Sequence, residues 1–195
     1  MLKIIQNPKT DKYKEFKEKV FSHGFPWTYE HDTNSGFDDY HPGFGDMPFY
    51  SHPIISRPVP PLRPISLPVS QEWELAVEVF NEIMIFNNIE YKTIYRMNIN
   101  STSYHGEFLS PPHVDHHWPH QSIIVYLNSF SGGKTHVFHK KYPFPEEKLT
   151  PNALKFSHKG EEDDIITFDG LHYHCMEGPS SIGERRVILV ATYLI

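Results

Sequence analysis

Three stretches of this chain carry side chains suited to holding a metal ion. His113 and Asp115 stand two residues apart, directly after Pro111 and Pro112. On an extended chain the side chains at i and i+2 point to the same side, so this spacing aims an imidazole and a carboxylate at one point without a helix. The two prolines keep the approach extended and stiff, which limits the ordering entropy lost when a metal binds. His172 and His174, again two apart, offer another imidazole after Phe168-Asp169-Gly170. Arg185 and Arg186 supply cations near the C-terminal end. Two imidazoles and one carboxylate on one face of a metal, with other positions open, is the donor set of mononuclear non-haem iron(II) centres. The same residue types also serve catalytic zinc.

The composition bounds what surrounds such a centre. At 195 residues, 38 % hydrophobic and 14 % aromatic, the chain fits a single domain over 1–195 with a real core. A formal net charge of −6 gives no general pull toward nucleic acid or anionic membranes. The longest apolar runs, such as 187–195, are far too short to span a bilayer. The first residues lack the apolar stretch and small-residue cleavage site of a secretory leader. Cys175 is the only cysteine, so no internal disulfide can form, and a reducing, cytoplasmic compartment is the economical expectation.

The elements that must position these residues follow from periodicity. A short strand is expected over 2–5 and a helix over 11–22, with Thr10 as its N-cap and Gly24 just past its end. The helix 71–86 carries the strongest pattern: Trp73, Ala76, Val79, Phe80, Ile83 and Met84 recur at helical spacing, and Ser70 is the expected N-cap. Eight prolines between 41 and 69 argue against regular structure there. That segment reads as a wrapped loop ordered by Phe44, Phe49 and Tyr50, serving either as a lid or substrate wall or as plain covering of a sheet face. Strands are then expected over 91–100, 122–127, 135–139, 153–157, 164–168, 171–175 and 185–195. Helices followed by many short strands predict an α+β chain, mainly β, with the helices (within 1–90) packed on one side of a sandwich or small barrel built from 91–195.

An isolated His-x-Asp is common in solvated His-rich loops, so the downstream context decides. His113-x-Asp115 is followed by Tyr-Leu-Asn at 126–128, Gly-Gly-x-Thr at 132–135, Phe-Asp-Gly-x-x-x-His at 168–174 and Gly-x-Arg-Arg-x-x-Leu at 183–189. In that order, over roughly 91–195, the series resembles the prolyl-4-hydroxylase-like 2-oxoglutarate/Fe(II) dioxygenases. The resemblance implies a double-stranded β-helix (jelly roll), with His113, Asp115 and His174 as iron ligands. It selects His174 over His172 because the family places its distal His four residues after the glycine. It implies a Tyr126 phenol on the far carboxylate of 2-oxoglutarate and Arg186 in a salt bridge with the same carboxylate. Strand alternation lets only one of Arg185 and Arg186 face the interior, and the match to Arg-x-x-Leu favours Arg186. Two departures stand out: Lys134 occupies a position where an acid is frequent, and the interval from His174 to Arg186 is slightly long.

The implied cofactors are Fe(II), 2-oxoglutarate and O₂, with release of succinate and CO₂. The expected partners are that co-substrate and a primary substrate of unknown identity, a protein side chain or a small metabolite to be hydroxylated. No nucleic acid or membrane partner is expected, and the sequence sets no oligomeric state. The competing readings are a cupin-like or zinc enzyme on a similar jelly roll, and an inactive binding module of the same fold. His116, His117, His120, His136, His139 and His158 are expected to be hydrogen-bonded or solvated rather than ligands, with His116, His117 and Trp118 near the pocket mouth. Tyr95, Met97 and Asn98 are expected on a strand leading to the metal, and Cys175 is expected to serve packing.

Overall fold

The computed structural model describes residues 2–31, 43–60, 62, 65–106, 109–145 and 149–195. Thirteen elements matter here: β1 Lys3–Ile5, α1 Asp11–Val20, β2 Thr28–Glu30, β3 Phe49–Ser56, β4 Leu67–Pro68, α2 Trp73–Phe86, β5 Thr93–Ser103, β6 Gln121–Tyr126, β7 Thr135–Lys141, β8 Leu154–His158, β9 Ile165–Asp169, β10 His172–Met176 and β11 Arg185–Leu194. They form two antiparallel sheets. The larger runs β1-β9-β6-β11-β5-β3-β2, with β4 pairing β3, and the smaller runs β10-β7-β8.

Alternation gives the large sheet two different faces. Ile123, Val125 and Leu127 around β6, and Val187, Leu189, Ala191 and Tyr193 on β11, pack with Tyr13, Phe16 and Val20 of α1 and with Ala76, Val79, Phe80, Ile83 and Met84 of α2. The intervening residues Ile124, Tyr126 and Ile188 join Ile166, Phe168 and Val137 in a second cluster between the sheets. The expected mainly-β jelly roll with helices on one sheet is what forms.

Four expectations on the elements need correction. The segment 41–69 is not wholly irregular, although residues 41, 42, 61, 63 and 64 lie outside the described residues. It supplies β3 and β4, and with β1 and β2 they extend the same large sheet, so the part before residue 90 is not only helix and loop. Pro53 is tolerated because the β3–β5 register slips between Pro53 and Ile55, a bulge that spares the missing N–H. Ser70 does not cap α2 directly. Its hydroxyl accepts from the Glu72 N–H at 3.0 Å in the turn before the helix, which starts at Trp73. Trp73, at 36 % exposed, falls off the buried stripe. α1 ends at Val20 rather than 22, while Thr10 caps it as expected, its hydroxyl accepting from Tyr13 N–H.

Asp163 ties α1 to the turn before β9. Its carboxylate accepts from the Tyr13 hydroxyl and from Lys17 Nζ, both at 2.7 Å, and pairs with Lys9 at 3.0 Å. Burial pushes the Asp163 pKa up, but Lys17, Tyr13 and Lys9 outweigh it and the net shift is downward. A depressed carboxylate pKa stabilises the fold above the unfolded-state value and loses that contribution as pH falls through the folded value. Asp163→Asn is therefore expected to lower unfolding free energy by about 1–2 kcal/mol near neutral pH, with the gap to the parent closing as pH falls through the depressed carboxylate pKa of the folded state, measured by urea unfolding across pH.

Candidate metal centre

The chain between β5 and β6 is attached to β10 by isolated backbone bridges, one of them between His113 and His174. Each residue donates its N–H to the other's carbonyl at 3.0 Å. A reciprocal pair of this kind sets the two residues side by side on one face, and the imidazole centroids lie 4.5 Å apart. Asp115 follows two residues later and turns the same way. The ligand atoms of His113, Asp115 and His174 all lie within 4.8 Å of one another. The Asp115 Oδ2 faces His174 Nε2 at 3.7 Å.

The donor chemistry fits a divalent metal. His113 Nδ1 lies 3.2 Å from the Pro111 carbonyl, and His174 Nδ1 lies 3.2 Å from the His172 carbonyl. A hydrogen on each Nδ1 donated to these carbonyls leaves each Nε2 lone pair for a metal. Burial pushes both imidazole pKa values down, His174 to about 4, so both are neutral ligands at physiological pH. Burial also pushes the Asp115 carboxyl up. Arg96, the two imidazoles and Arg57 outweigh that and hold it well below the usual carboxylate range. Arg96 Nη1 donates to Asp115 Oδ1 at 2.8 Å. One carboxylate oxygen is thus engaged by a guanidinium and the other faces the imidazoles.

A cavity of about 160 Å³ opens on this triad; Arg57, Arg96, Asn100, Thr135 and Arg186 are among its lining residues. Arg186 is 1 % exposed, whereas Arg185 is exposed. Alternation on β11 explains the difference: Val187 and Leu189 face the helices, so Arg186 and Ile188 face the cavity. The Arg186 guanidinium is fixed by Nε to the Gly133 carbonyl at 3.0 Å and Nη2 to Thr135 Oγ1 at 2.7 Å. Gly133 holds φ +63°, and a side chain there would meet Phe130 at 2.6 Å, so the turn that presents this carbonyl needs glycine. No acidic side chain is paired with Arg186 among the described residues.

Several expected roles move. Tyr126 does not line the cavity: its ring lies against Gly160, and its hydroxyl is used on Thr135 Oγ1 at 2.7 Å. Thr135, between that phenol and Arg186, holds the wall position instead; the Gly-Gly-x-Thr motif was its signal. Tyr95, Met97 and Asn98 do not line the cavity either. Met97 faces the helices, so its neighbour Arg96 and, four residues on, Asn100 face in. Sequence reasoning missed Arg96, although the alternation of Arg96, Asn98 and Asn100 with Met97 and Ile99 carried the signal. It also missed Arg57, which no periodicity marks. His172 is not part of the triad; its Nδ1 lies 3.0 Å from the Phe138 carbonyl. His116 stacks on Trp118 and His117 on Tyr142, none of them lining the cavity. Cys175 is buried with Phe138 and Tyr173. Phe49 and Arg57 bring the proline-rich segment into the cavity wall.

A scan of the sequence against protein-family models finds no match, and a search of curated proteins finds none either. Solved structures give a clear likeness. A 2OG-Fe(II) oxygenase family oxidoreductase from Burkholderia pseudomallei matches with TM-score 0.59 and 16 % identity, over 87 % of this chain and 73 % of that one. A prolyl hydroxylase from Trichoplax adhaerens, in complex with a hypoxia inducible factor oxygen degradation domain peptide fragment, matches with TM-score 0.57 and 11 % identity, over 99 % and 83 %. The non-heme alpha ketoglutarate dependent epimerase SnoN from nogalamycin biosynthesis matches with TM-score 0.59 and 10 % identity, over 99 % and 78 %. The fold is that of the 2OG-Fe(II) oxygenases. Among the described residues, no helix is long and apolar enough to cross a membrane.

The triad makes a direct prediction. Cobalt(II) titration followed by visible absorption should report one tight site per chain. His113→Ala, Asp115→Asn and His174→Ala should each weaken it by more than ~100-fold, since loss of a ligand's supporting partner alone costs about 10–100-fold. His172→Ala should leave it within a few-fold.

Proposed function

We propose that the protein is a non-haem Fe(II) and 2-oxoglutarate-dependent dioxygenase that hydroxylates a primary substrate and releases succinate and CO₂. The observation that carries this reading is the pairing of two features in one cavity: a His-Asp-His triad, and a buried guanidinium with no acidic partner among the described residues. A buried cation is costly unless an anion meets it, and a guanidinium fork suits a carboxylate. A zinc hydrolase has no use for that second feature.

His113, Asp115 and His174 would hold the iron. Together with 2-oxoglutarate and O₂, iron(II) supplies oxidative decarboxylation of the co-substrate coupled to oxidation of a substrate C–H bond. The chain's own residues supply the rest. Arg186 binds the far carboxylate of the co-substrate. Gly133 and Thr135 hold the guanidinium in one orientation, so little freedom is lost on binding. Tyr126 acts behind Thr135, fixing its hydroxyl rather than reaching the ligand. Arg96 keeps Asp115 ionised and oriented, and Ile124, Ile188 and Val190 line an apolar wall that limits water. Hydroxylation is the reaction of the prolyl hydroxylase neighbour, whereas the epimerase neighbour carries a different outcome on the same fold, so the product is the finer part of the proposal.

Iron-dependent conversion of 2-oxoglutarate to succinate, followed by mass spectrometry or NMR, tests the reading. Slow uncoupled turnover is expected without a primary substrate, and it should vanish with chelator or in His174→Ala. Arg186→Ala should raise the apparent KM for 2-oxoglutarate by about 100-fold, as expected when a charge-assisted, bidentate contact worth about 2–3 kcal/mol is lost. Metal affinity should hardly change. Arg185→Ala should do neither. Iron-bound protein that neither binds nor decarboxylates 2-oxoglutarate would return the assignment to a metal-binding module.

A further inference from the structure

Resting on that reading for its effect, we infer that Met176 is a modification site for peroxide, and that its sulfoxide oxygen takes the Arg186 N–H that a co-substrate carboxylate would use. Met176 follows His174 by two residues on β10, so both side chains face the cavity they line. It is the cross-strand partner of Thr135, and Arg186 is that of Thr102. The four side chains meet in one place. Arg186 Nε and Nη2 donate to oxygens, the Gly133 carbonyl and Thr135 Oγ1. Its Nη1 donates to Met176 Sδ at 3.5 Å, and Thr102 Oγ1 donates to the same sulfur at 3.8 Å. A thioether is a weak acceptor, so a carboxylate readily displaces it from a guanidinium.

An oxygen on that sulfur yields less easily. Sulfoxidation turns an apolar side chain into a polar one, with its new acceptor one bond from a sulfur that the guanidinium already meets. The oxidant is hydrogen peroxide. A sulfur lone pair attacks one peroxide oxygen, an S–O bond forms and the O–O bond breaks. The departing hydroxide takes the proton left on the sulfoxide oxygen, so thioether and peroxide become sulfoxide and water. Sulfur loses two electrons and peroxide gains them. The Arg186 guanidinium beside the sulfur stabilises the hydroxide as it leaves. Access singles out this methionine. Met176 is partly exposed, whereas Met47, Met84 and Met97 are at most 1 % exposed. Cys175, next along β10, is buried with Phe138 and Tyr173. Among the described residues, Met176 is thus the sulfur side chain that a small oxidant in the cavity meets. Sulfoxide reductases regenerate the thioether, so the change is reversible.

The test treats the metal-free full chain with hydrogen peroxide and locates added oxygen by peptide mass spectrometry. Met176 should gain one oxygen about tenfold faster than Met47, Met84 or Met97, following its exposure. Loaded with zinc(II), the oxidised chain should bind 2-oxoglutarate about tenfold more weakly than the untreated chain by calorimetry, the loss expected when one charge-assisted hydrogen bond is pre-empted. Met176→Leu, whatever its own affinity, should lose none of it to peroxide. Met176→Gln, which carries an amide oxygen close to the sulfoxide position, should bind weakly without peroxide. Oxidation of Met176 no faster than that of the buried methionines, full sulfoxide with unchanged affinity, or an equal loss in Met176→Leu would overturn the assignment. Failure of the untreated zinc form to bind 2-oxoglutarate would instead sink the dioxygenase reading. In that event the Arg186 Nε–Hε NMR signal, assigned by its loss in Arg186→Lys, still decides the site. It should shift on peroxide treatment of the parent and stay in place in Met176→Leu; an unmoved parent signal would overturn the inference.

Discussion

Two reciprocal backbone hydrogen bonds, between His113 and His174, are the constraint on which the candidate centre rests. Among the described residues they do not belong to a long ladder; the chain before β6 meets β10 at scattered points, this bridge among them. Sheet pairing of two histidines puts their side chains next to each other whatever they do afterwards. The bridge therefore fixes two donors before any metal arrives, and the third needs only two more residues of extended chain. That third donor is anchored from the opposite sheet by Arg96, so a backbone bridge on one side and an ion pair on the other hold the triad together.

The same economy governs the far end of the cavity. β11 is buried on both faces, and its helix-facing residues Val187, Leu189, Ala191 and Tyr193 set its register against α1 and α2. A one-residue slip would exchange faces along the whole strand. Arg186 would then be driven among Val79, Phe80 and Ile83, where no acceptor awaits it, and the cost of an unpaired buried charge would be severe. The hydrophobic pattern that stabilises the helix–sheet layer is thus also what aims the guanidinium. Stability and site geometry share one set of residues, so a core substitution on this strand would be felt in the cavity.

This sharing explains what was legible in the sequence. The strands carrying the triad and Arg186 were readable because alternation and spacing are local properties, and the choice between Arg185 and Arg186 follows from burial on either side of one peptide. α2 was readable for the same reason. β3 was not, because its prolines mask it; a bulge beside Pro53 resolves the conflict, and a bulge depends on the partner strand rather than on local sequence. Tyr126 was placed on the co-substrate from its motif, but the Gly160 backbone and Thr135 draw it behind the wall. Arg57 joins the cavity only through the fold of a proline-rich turn, which leaves no periodic trace.

β5 shows how far a polar stripe can be carried into such an interior. Met97 and Ile99 commit one face of the strand to the helices, which leaves Arg96 and Asn100 facing the cavity. An inward arginine is tolerable only where acceptors and counter-charge meet it. Asn98 and Asp115 do so in the structure, but Asp115 is also the carboxylate a metal would draw on. A dication beside that carboxylate would weaken its hold on Arg96 and would add a like charge nearby.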